Sequence, residues 1–356
     1  MRSWRFLLGL LISAAFLFYA FRGQDYGAIV DSLRGVNYWL LLPALVLYIL
    51  GVVARAFRWS VLLRPVKRIE TKELLPITAI GFMANNVLPL RTGEVVRSFV
   101  LSRNHGVRKT AALATIAVER ICDGLTMVGF MLVAALFIDF TSELRHVMTI
   151  AVILFAIAIG ILGVMTFAEG SRVRLLKFGL RFLPNSVGGR VEHIAESFFS
   201  GLAALRSPQA MGLVALSSLV AWSFEASMYW VIARAFGGSV EAVMGVAETL
   251  LTTGVANLAT LVPSSPGYVG PFEAGVKTVV EGALKAPAAQ ALSYAILVHA
   301  ALWFPVTLWG AVEWSRMHLS LKQVAAEEVA GPAMAASGAH SETTPVREPA
   351  TRTNAA

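Results

Sequence analysis

Residues 85–101 read NNVLPLRTGEVVRSFVL and place two asparagines, a proline, a glycine and several charges inside an otherwise apolar part of the chain. A run so rich in helix breakers and charge cannot continue the apolar segment 74–88 as a lipid-facing helix. Irregular backbone at membrane depth must be satisfied by protein or by water. We therefore predict a re-entrant hairpin whose polar turn lines a cavity. A loop just outside the membrane is the alternative.

A second break occurs at residues 257–273, which read NLATLVPSSPGYVGPFE. Both breaks join an asparagine-bearing helix end to a Pro/Gly turn and a glutamate, Glu94 or Glu273. One gapless offset, 273 − 94 = 179, relates these glutamates and also relates the tetrapeptide ARAF at 54–57 to its copy at 233–236. This indicates an internal repeat with copies at about 37–168 and 211–315. The parity of membrane crossings predicts that the copies are inverted.

The composition is that of a membrane protein. Of the 356 residues, 56% are apolar and 15% are charged, against roughly a quarter charged in soluble domains. Apolar runs long enough to cross a bilayer occur at 6–20, 39–54, 111–138, 147–168 and 211–235. We predict an all-α polytopic membrane protein with about six full transmembrane helices and the two re-entrant helical hairpins, within a membrane-embedded domain over residues 1–320.

The positions of lysine and arginine set the expected topology, because cytoplasmic loops carry these residues in excess. Two groups flank the first hairpin: Arg55, Arg58, Arg64, Lys67, Arg68 and Lys72 before it, and Arg91, Arg97, Arg103, Arg108 and Lys109 after it. Both flanks are therefore predicted to be cytoplasmic, as are both termini, in the inner membrane of a bacterium. The net charge of +8 is explained by these loops, so nucleic acid is not an expected partner.

Two further segments are assigned from their composition. Residues 169–208 are basic and carry an apolar helical stripe, which predicts an amphipathic cytoplasmic connector lying on the membrane surface or against the bundle. Residues 321–356 are rich in Ala, Ser, Thr, Pro and Gly. Such a segment cannot bury enough apolar surface to offset the entropy of ordering. We predict a disordered cytoplasmic tail.

Charged residues also interrupt the apolar helices, at Glu119, Arg120, Asp123 and Glu225. A charge in lipid costs about 2.5 kcal/mol or more, so these side chains must face the bundle or a wet cavity and find partners. We predict that Arg120 pairs with Glu94. The repeat offset predicts the equivalent pair of Glu273 with His299, where proton binding could bias one state. Purely structural ion pairs are the alternative reading.

The breaks and the intramembrane charges together form the predicted substrate and coupling site. Its members are Asn85, Asn86, Pro89, Arg91, Gly93, Glu94, Arg97, Glu119, Arg120, Asp123, Glu225, Asn257, Pro263, Ser264, Pro266, Gly267, Gly270, Glu273 and His299. Arg91 and Arg97 are assigned to a lipid phosphate, since the planar guanidinium matches that group. Alternatively, both arginines only anchor the cytoplasmic end of the hairpin.

Motifs of soluble enzymes are missing from the sequence. There is no zinc-ligand spacing, no nucleophile elbow and no phosphate loop, and the six histidines are scattered. We expect no metal, no cofactor and no enzymatic activity. Two other functions stay open: a membrane-embedded lipid transferase with Glu94, Glu119 or Glu273 as general base, and a scaffold for enzymes of lipid or envelope biosynthesis.

Three stretches resemble the signatures of the lysylphosphatidylglycerol synthase transmembrane-region family, whose members are also called flippase-like proteins. They are NNVLPLRTGEVVRSFVL, ALATIAVERICDGL at 112–125 and PSSPGYVGPFEAGV at 263–276. The resemblance covers roughly residues 5 to 315 and implies a domain that moves lipids between leaflets. Bifunctional members continue into a soluble aminoacyl-transferase domain, and here only a short polar tail follows. The expected cargo is an anionic or phosphate-bearing lipid of phospholipid, isoprenoid or hopanoid type. Membrane lipids and biosynthetic enzymes are the expected partners, and a homo-oligomer is left open.

Overall fold

The computed structural model describes residues 3–88, 92–167, 195 and 198–320, and these residues form helices and turns without any strand. The predicted all-α class is confirmed. The helices are α1 (Ser3–Phe21), α2 (Tyr26–Arg34), α3 (Leu41–Leu63), α4 (Thr71–Val87), α5 (Gly93–His105), α6 (Lys109–Ala134), α7 (Ser142–Phe167), α8 (Pro208–Phe236), α9 (Gly238–Val243), α10 (Val246–Ala259), α11 (Pro271–Lys277) and α12 (Ala288–Arg316).

Four described segments are long and apolar enough to cross a membrane. They are Tyr38–Leu63, Ser142–Val164, Pro208–Phe236 and Ala288–Arg316, and the bent pair Leu7–Phe21 and Tyr26–Arg34, which turns by 83°, would make a fifth. Helix α6 has 26 residues but carries three charges near its middle. The chain is thus a membrane protein with four or five such spans in its described part, compared with the predicted six full spans.

Both predicted breaks lie between paired helices. Helix α4 has 17 residues and α5 has 13, or about 25 Å and about 20 Å at the helical rise. Each is shorter than the roughly 30 Å hydrocarbon core. The two helices pack closely because residue 93 is a glycine. A Cβ at this position would overlap the carbonyl oxygen of Gly81 on α4. Helices α10 and α11 form the second pair. The lengths suit re-entrant hairpins, which remain a prediction.

The helix order follows the repeat. Helix α6 begins at Lys109 and α12 at Ala288, and 288 − 109 = 179, the offset found in the sequence. Helix α4 packs against α12, α10 packs against α6, and α3 packs against α8. This exchange of partners is the one that a two-fold relation between the copies would produce. The repeat and its inversion across the membrane stay predictions.

One topological assignment was wrong. Arg55 and Arg58 were placed in a cytoplasmic loop, but both lie within α3 and are buried. Helix α3 can continue past these charges because each has an acidic partner on another helix. The cytoplasmic assignment therefore rests on the exposed residues that follow Leu63.

The connector and the tail are described only in part. Most of residues 169–208 and all of 321–356 lie outside the described residues, so their predicted character is not tested there. Near the end of the connector, Leu202 and Leu205 pack on Val61 and Val118. This part of the connector lies against the bundle, which was one of its two predicted positions.

Candidate functional site

A polar cavity of about 370 Å³ is lined by residues from both hairpins. The predicted residues that line it are Asn85, Asn86, Glu94, Arg120, Asp123, Glu225, Asn257 and His299. The sequence separates the two hairpins by more than 150 residues, since 257 − 86 = 171. Packing of α4 on α12 and of α10 on α6 brings the two hairpins to the same cavity.

A buried ion network forms one side of this site. Arg58 Nη1 lies 2.6 Å from Asp123 Oδ1 and its Nε lies 3.6 Å from Glu119 Oε1. The guanidinium of Arg97 contacts the other Glu119 oxygen at 2.9 Å. The Arg58 side chain has no exposed surface. These four residues join α3, α5 and α6. Glu119 and Arg97 are held by these ion pairs, so both side chains serve contacts between helices.

A second ion pair faces the cavity directly. Arg55 Nη2 lies 2.6 Å from Glu225 Oε2, which joins α3 to α8. The Arg55 guanidinium also lies over the Trp222 ring, 4.4 Å from its centroid, and the Trp222 indole donates to Asp123 Oδ1 at 2.8 Å. Arg55, Trp222 and Tyr48 line the cavity but were absent from the predicted site. The i, i+3 spacing of Arg55 and Arg58 was the available signal, since it places both on one face of a helix.

The predicted Arg120–Glu94 ion pair was wrong. Arg120 Nη2 lies 3.5 Å from Asp123 Oδ2 on the same helix, and Glu94 Oε1 accepts a long 3.4 Å hydrogen bond from the amide of Asn85. The Arg120 side chain is 44% exposed. Arg120 and Glu94 are therefore the charged cavity residues that are least fixed by the surrounding fold.

Arg97 is not placed to meet a headgroup or to anchor the hairpin. It is buried, contacts Glu119 and stacks over Trp59 with its guanidinium 4.0 Å from the ring centroid. Both roles considered for Arg97 need an accessible guanidinium, so neither fits this position. Pro89 and Arg91 lie outside the described residues, and their predicted roles are not tested there.

The predicted contact between Glu273 and His299 is present. His299 Nδ1 lies 2.5 Å from Glu273 Oε1, and His299 Nε2 lies 2.8 Å from the carbonyl of Gly267. The second Glu273 oxygen accepts from the backbone N–H of Gly270 at 2.7 Å, which caps α11. The contact joins the second hairpin to α12 at the cavity wall.

Several predicted residues also hold the turns of the two hairpins in place. Asn85 accepts from the N–H of Gly93 at 2.8 Å, and Asn86 donates to Thr307 on α12 at 2.8 Å. Pro263, Ser264 and Pro266 lie on the turn of the second hairpin, which is held by Ser13 of α1. The Ser13 hydroxyl accepts from the N–H of Ser265 at 2.8 Å and donates to the carbonyl of Val269 at 2.7 Å.

Within the described residues, no group of three or more His, Cys, Asp and Glu side chains is placed to hold a metal ion. The cavity instead offers two guanidinium groups, three carboxylates, three amides and one imidazole. Such a set can bind an anionic group together with hydroxyls or amines, because amides and carboxylates accept from those donors.

The fold and the site define an all-helical membrane protein in which two polar helix pairs face one cavity. The model of the family described as "Lysylphosphatidylglycerol synthase TM region" matches residues 6–310. The chain belongs to this family, as the three sequence stretches indicated.

Two relatives extend this result. Over 302 residues the chain is 27% identical to the protein named "Glycosyltransferase AglD" of Haloferax volcanii, covering 78% of this chain and 48% of AglD. It therefore spans about half the length of AglD. Over 232 residues it is 22% identical to "UPF0104 membrane protein MJ1078" of Methanocaldococcus jannaschii, covering 64% of this chain and 91% of that protein.

The name of AglD corrects one expectation. The absence of soluble-enzyme motifs was taken to mean that the chain is not an enzyme, and a relative named a glycosyltransferase contradicts that inference. The physical reason is that a positioned carboxylate can act as a general base without a metal or a nucleophile motif. Three carboxylates line the cavity, those of Glu94, Asp123 and Glu225.

Proposed function

We propose that the chain binds a phosphate-bearing lipid with the headgroup in the polar cavity and moves it between the leaflets. The observation that carries this proposal is the convergence of both hairpins on one cavity. Membership of the lysylphosphatidylglycerol synthase TM family supports a role in lipid handling. Polar side chains buried at membrane depth are costly, and they commonly mark a substrate path.

Arg120 is the proposed phosphate contact, in place of Arg97. Its guanidinium is accessible from the cavity and its ion pair with Asp123 is long, at 3.5 Å, so a phosphate can compete for it with two parallel hydrogen bonds. Glu94 and the amides of Asn86 and Asn257 are then available for hydroxyl or amine groups of the same headgroup. This set favours a phosphate that carries a polar substituent.

The two hairpins suit alternating access. In transporters with inverted repeats, the substrate lies where discontinuous helices meet, and one half rocks against the other. Here each hairpin is held to a helix of the other copy, α4 to α12 and α10 to α6. Motion at these two contacts would expose the cavity to one side of the membrane and then to the other.

Headgroup binding is tested with purified protein in detergent. We expect native mass spectrometry to detect bound dioleoyl phosphatidylglycerol on the wild type, and Arg120→Gln to lower that bound fraction about ten-fold, or about 1.4 kcal/mol. Arg64→Gln is the matched control, since Arg64 is an exposed arginine that does not line the cavity. Equal binding by Arg120→Gln and wild type would remove the headgroup site.

Sugar transfer to a lipid acceptor is the second candidate function, and the name of AglD favours it. Glu94 is the proposed general base, because Glu119 and Glu273 are engaged by Arg97 and His299. In this reaction Glu94 would take the proton of a phosphate oxygen of a polyisoprenyl phosphate, that oxygen would attack the anomeric carbon of a nucleotide sugar, and the nucleoside diphosphate would leave. Mass spectrometry after incubation with both substrates would then detect the glycosylated lipid. Glu94→Gln should abolish that product, and a wild-type protein that yields none argues against this candidate.

A further inference from the structure

Two apolar grooves lie beside the polar cavity, and they differ in how they reach it. The first groove, about 850 Å³, lies between α6, α8 and α10. The second groove, about 720 Å³, lies between α1, α7, α10 and α11. The second groove shares Phe155, Leu258 and Leu261 with the cavity, whereas the first shares no lining residue with it.

A packed wall separates the first groove from the cavity. Met127 and Trp222 face the cavity, Phe130 and Ala226 face the groove, and the four form one buried cluster. The second groove is different, because the described residues Phe155, Leu258 and Leu261 line both that groove and the cavity.

The ring of Phe155 packs into a gap that a glycine leaves on the neighbouring helix. Most of α7 is exposed, including Leu154 at 57%, but Phe155 is half-buried and its ring lies on Gly124 of α6, where a Cβ would overlap the ring. Glycine at position 124 thus lets one aromatic ring of an otherwise lipid-facing helix reach the cavity wall. A rotamer change of Phe155 would open the cavity to the groove.

We propose that the groove between α1, α7, α10 and α11 holds a hydrocarbon chain of the lipid, acyl or isoprenoid, and that Phe155 moves aside to admit it. This inference rests on the proposed function, since a headgroup in the cavity must remain joined to its chains. A chain needs an apolar path from the cavity to the membrane interior. The second groove offers that path, and among its lining side chains only Tyr19 and Thr278 carry polar atoms.

Two leucine-to-tryptophan variants test the path. Leu261, 55% exposed, lies where groove and cavity join, and Leu219, 50% exposed, lines the separated groove. With dioleoyl phosphatidylglycerol as the probe, we expect Leu261→Trp to lower the bound fraction in native mass spectrometry about ten-fold. Leu219→Trp should bind as the wild type does, because it fills the separated groove.

The outcomes separate the tail groove from the headgroup site. Loss of binding in Arg120→Gln but not in Leu261→Trp would overturn the tail groove and leave the headgroup site standing. Retained binding in both variants would overturn both. Equal losses in Leu261→Trp and Leu219→Trp would also overturn the tail groove, because blocking either groove would then have the same effect.

A crosslinking measurement on the unmodified protein guards against a variant that does not fold. Phosphatidylglycerol with a diazirine in one acyl chain is bound and irradiated, and labelled peptides are identified by mass spectrometry. We expect label on α7 and α10 residues of the second groove to exceed label around Leu219, and unlabelled phosphatidylglycerol to compete it away. Equal labelling of the two grooves would overturn the proposal.

Discussion

His299 Nδ1 lies 2.5 Å from Glu273 Oε1, and His299 Nε2 lies 2.8 Å from the carbonyl oxygen of Gly267. Because a carbonyl only accepts, Nε2 must carry a proton, so the contact with Glu273 needs a second proton, on either the imidazole or the carboxyl group. Without it, a nitrogen lone pair would face a carboxylate. The geometry of the contact between α11 and α12 therefore calls for a proton between these two side chains.

The first prediction is that transport depends on the carboxyl group of Glu273 in this contact. Glutamine at position 273 can accept from Gly270 and donate to His299 but cannot exchange a proton, so Glu273→Gln should fold normally. We expect its transport rate to fall about ten-fold or more, within the usual range of coupling energies. Full activity in Glu273→Gln would contradict this coupling.

The second prediction concerns the buried ion network. Arg58→Met removes the 2.6 Å partner of Asp123 and a longer, 3.6 Å contact to Glu119, and breaking a buried ion pair typically costs about 3 to 5 kcal/mol. The variant should therefore show a clearly lower Tm than the wild type when heated in detergent. Arg64→Met is the control, because Arg64 lies just past the end of the same helix and is exposed. An unchanged Tm in Arg58→Met would mean that the network adds nothing to stability.

The third prediction concerns topology. In a Cys122→Ala background, Arg68→Cys and Asn104→Cys should react with a membrane-impermeant thiol reagent from the same side, because they flank a hairpin that enters and returns. Asp139→Cys, in the exposed turn before α7, should react from the opposite side. Labelling of positions 68 and 104 from opposite sides would mean that α4 and α5 together cross the membrane. The repeat copies would then be parallel.

Much of the cavity could be predicted from local sequence. Helix breakers at 85–94 and 263–273 identify the hairpins, because lipid cannot satisfy irregular backbone. The repeat offset identified His299 as the partner of Glu273, since both lie in elements that the repeat aligns. Both features could be predicted because they follow from residue type and from spacing along the sequence.

Partners in the ion network could not be predicted, because they depend on packing between distant helices. Arg55 was counted as a loop residue, yet its partner Glu225 lies 170 positions away. The Arg120–Glu94 pair was the first prediction, and the repeat offset carried it to Glu273 and His299, but the two copies differ one helical turn later. In the first copy Arg120 forms its ion pair with Asp123. The same offset, 302 − 123 = 179, makes Leu302 the equivalent of Asp123 in the second copy, and a leucine cannot form an ion pair.

The proposed function is transport of a phosphate-bearing lipid across the membrane with its headgroup in the cavity. Its most direct test is a leaflet assay, in which proteoliposomes contain fluorescent phosphatidylglycerol and an impermeant reductant quenches the outer leaflet. We predict that the wild-type protein and Arg64→Gln both make the inner-leaflet probe accessible to the reductant. Arg120→Gln should do so about ten-fold more slowly, and Arg120→Lys should also be slow because lysine lacks the bidentate fork. Transport through this cavity would be contradicted if quenching with wild-type protein stopped at the outer-leaflet fraction, or if Arg120→Gln were as fast as Arg64→Gln.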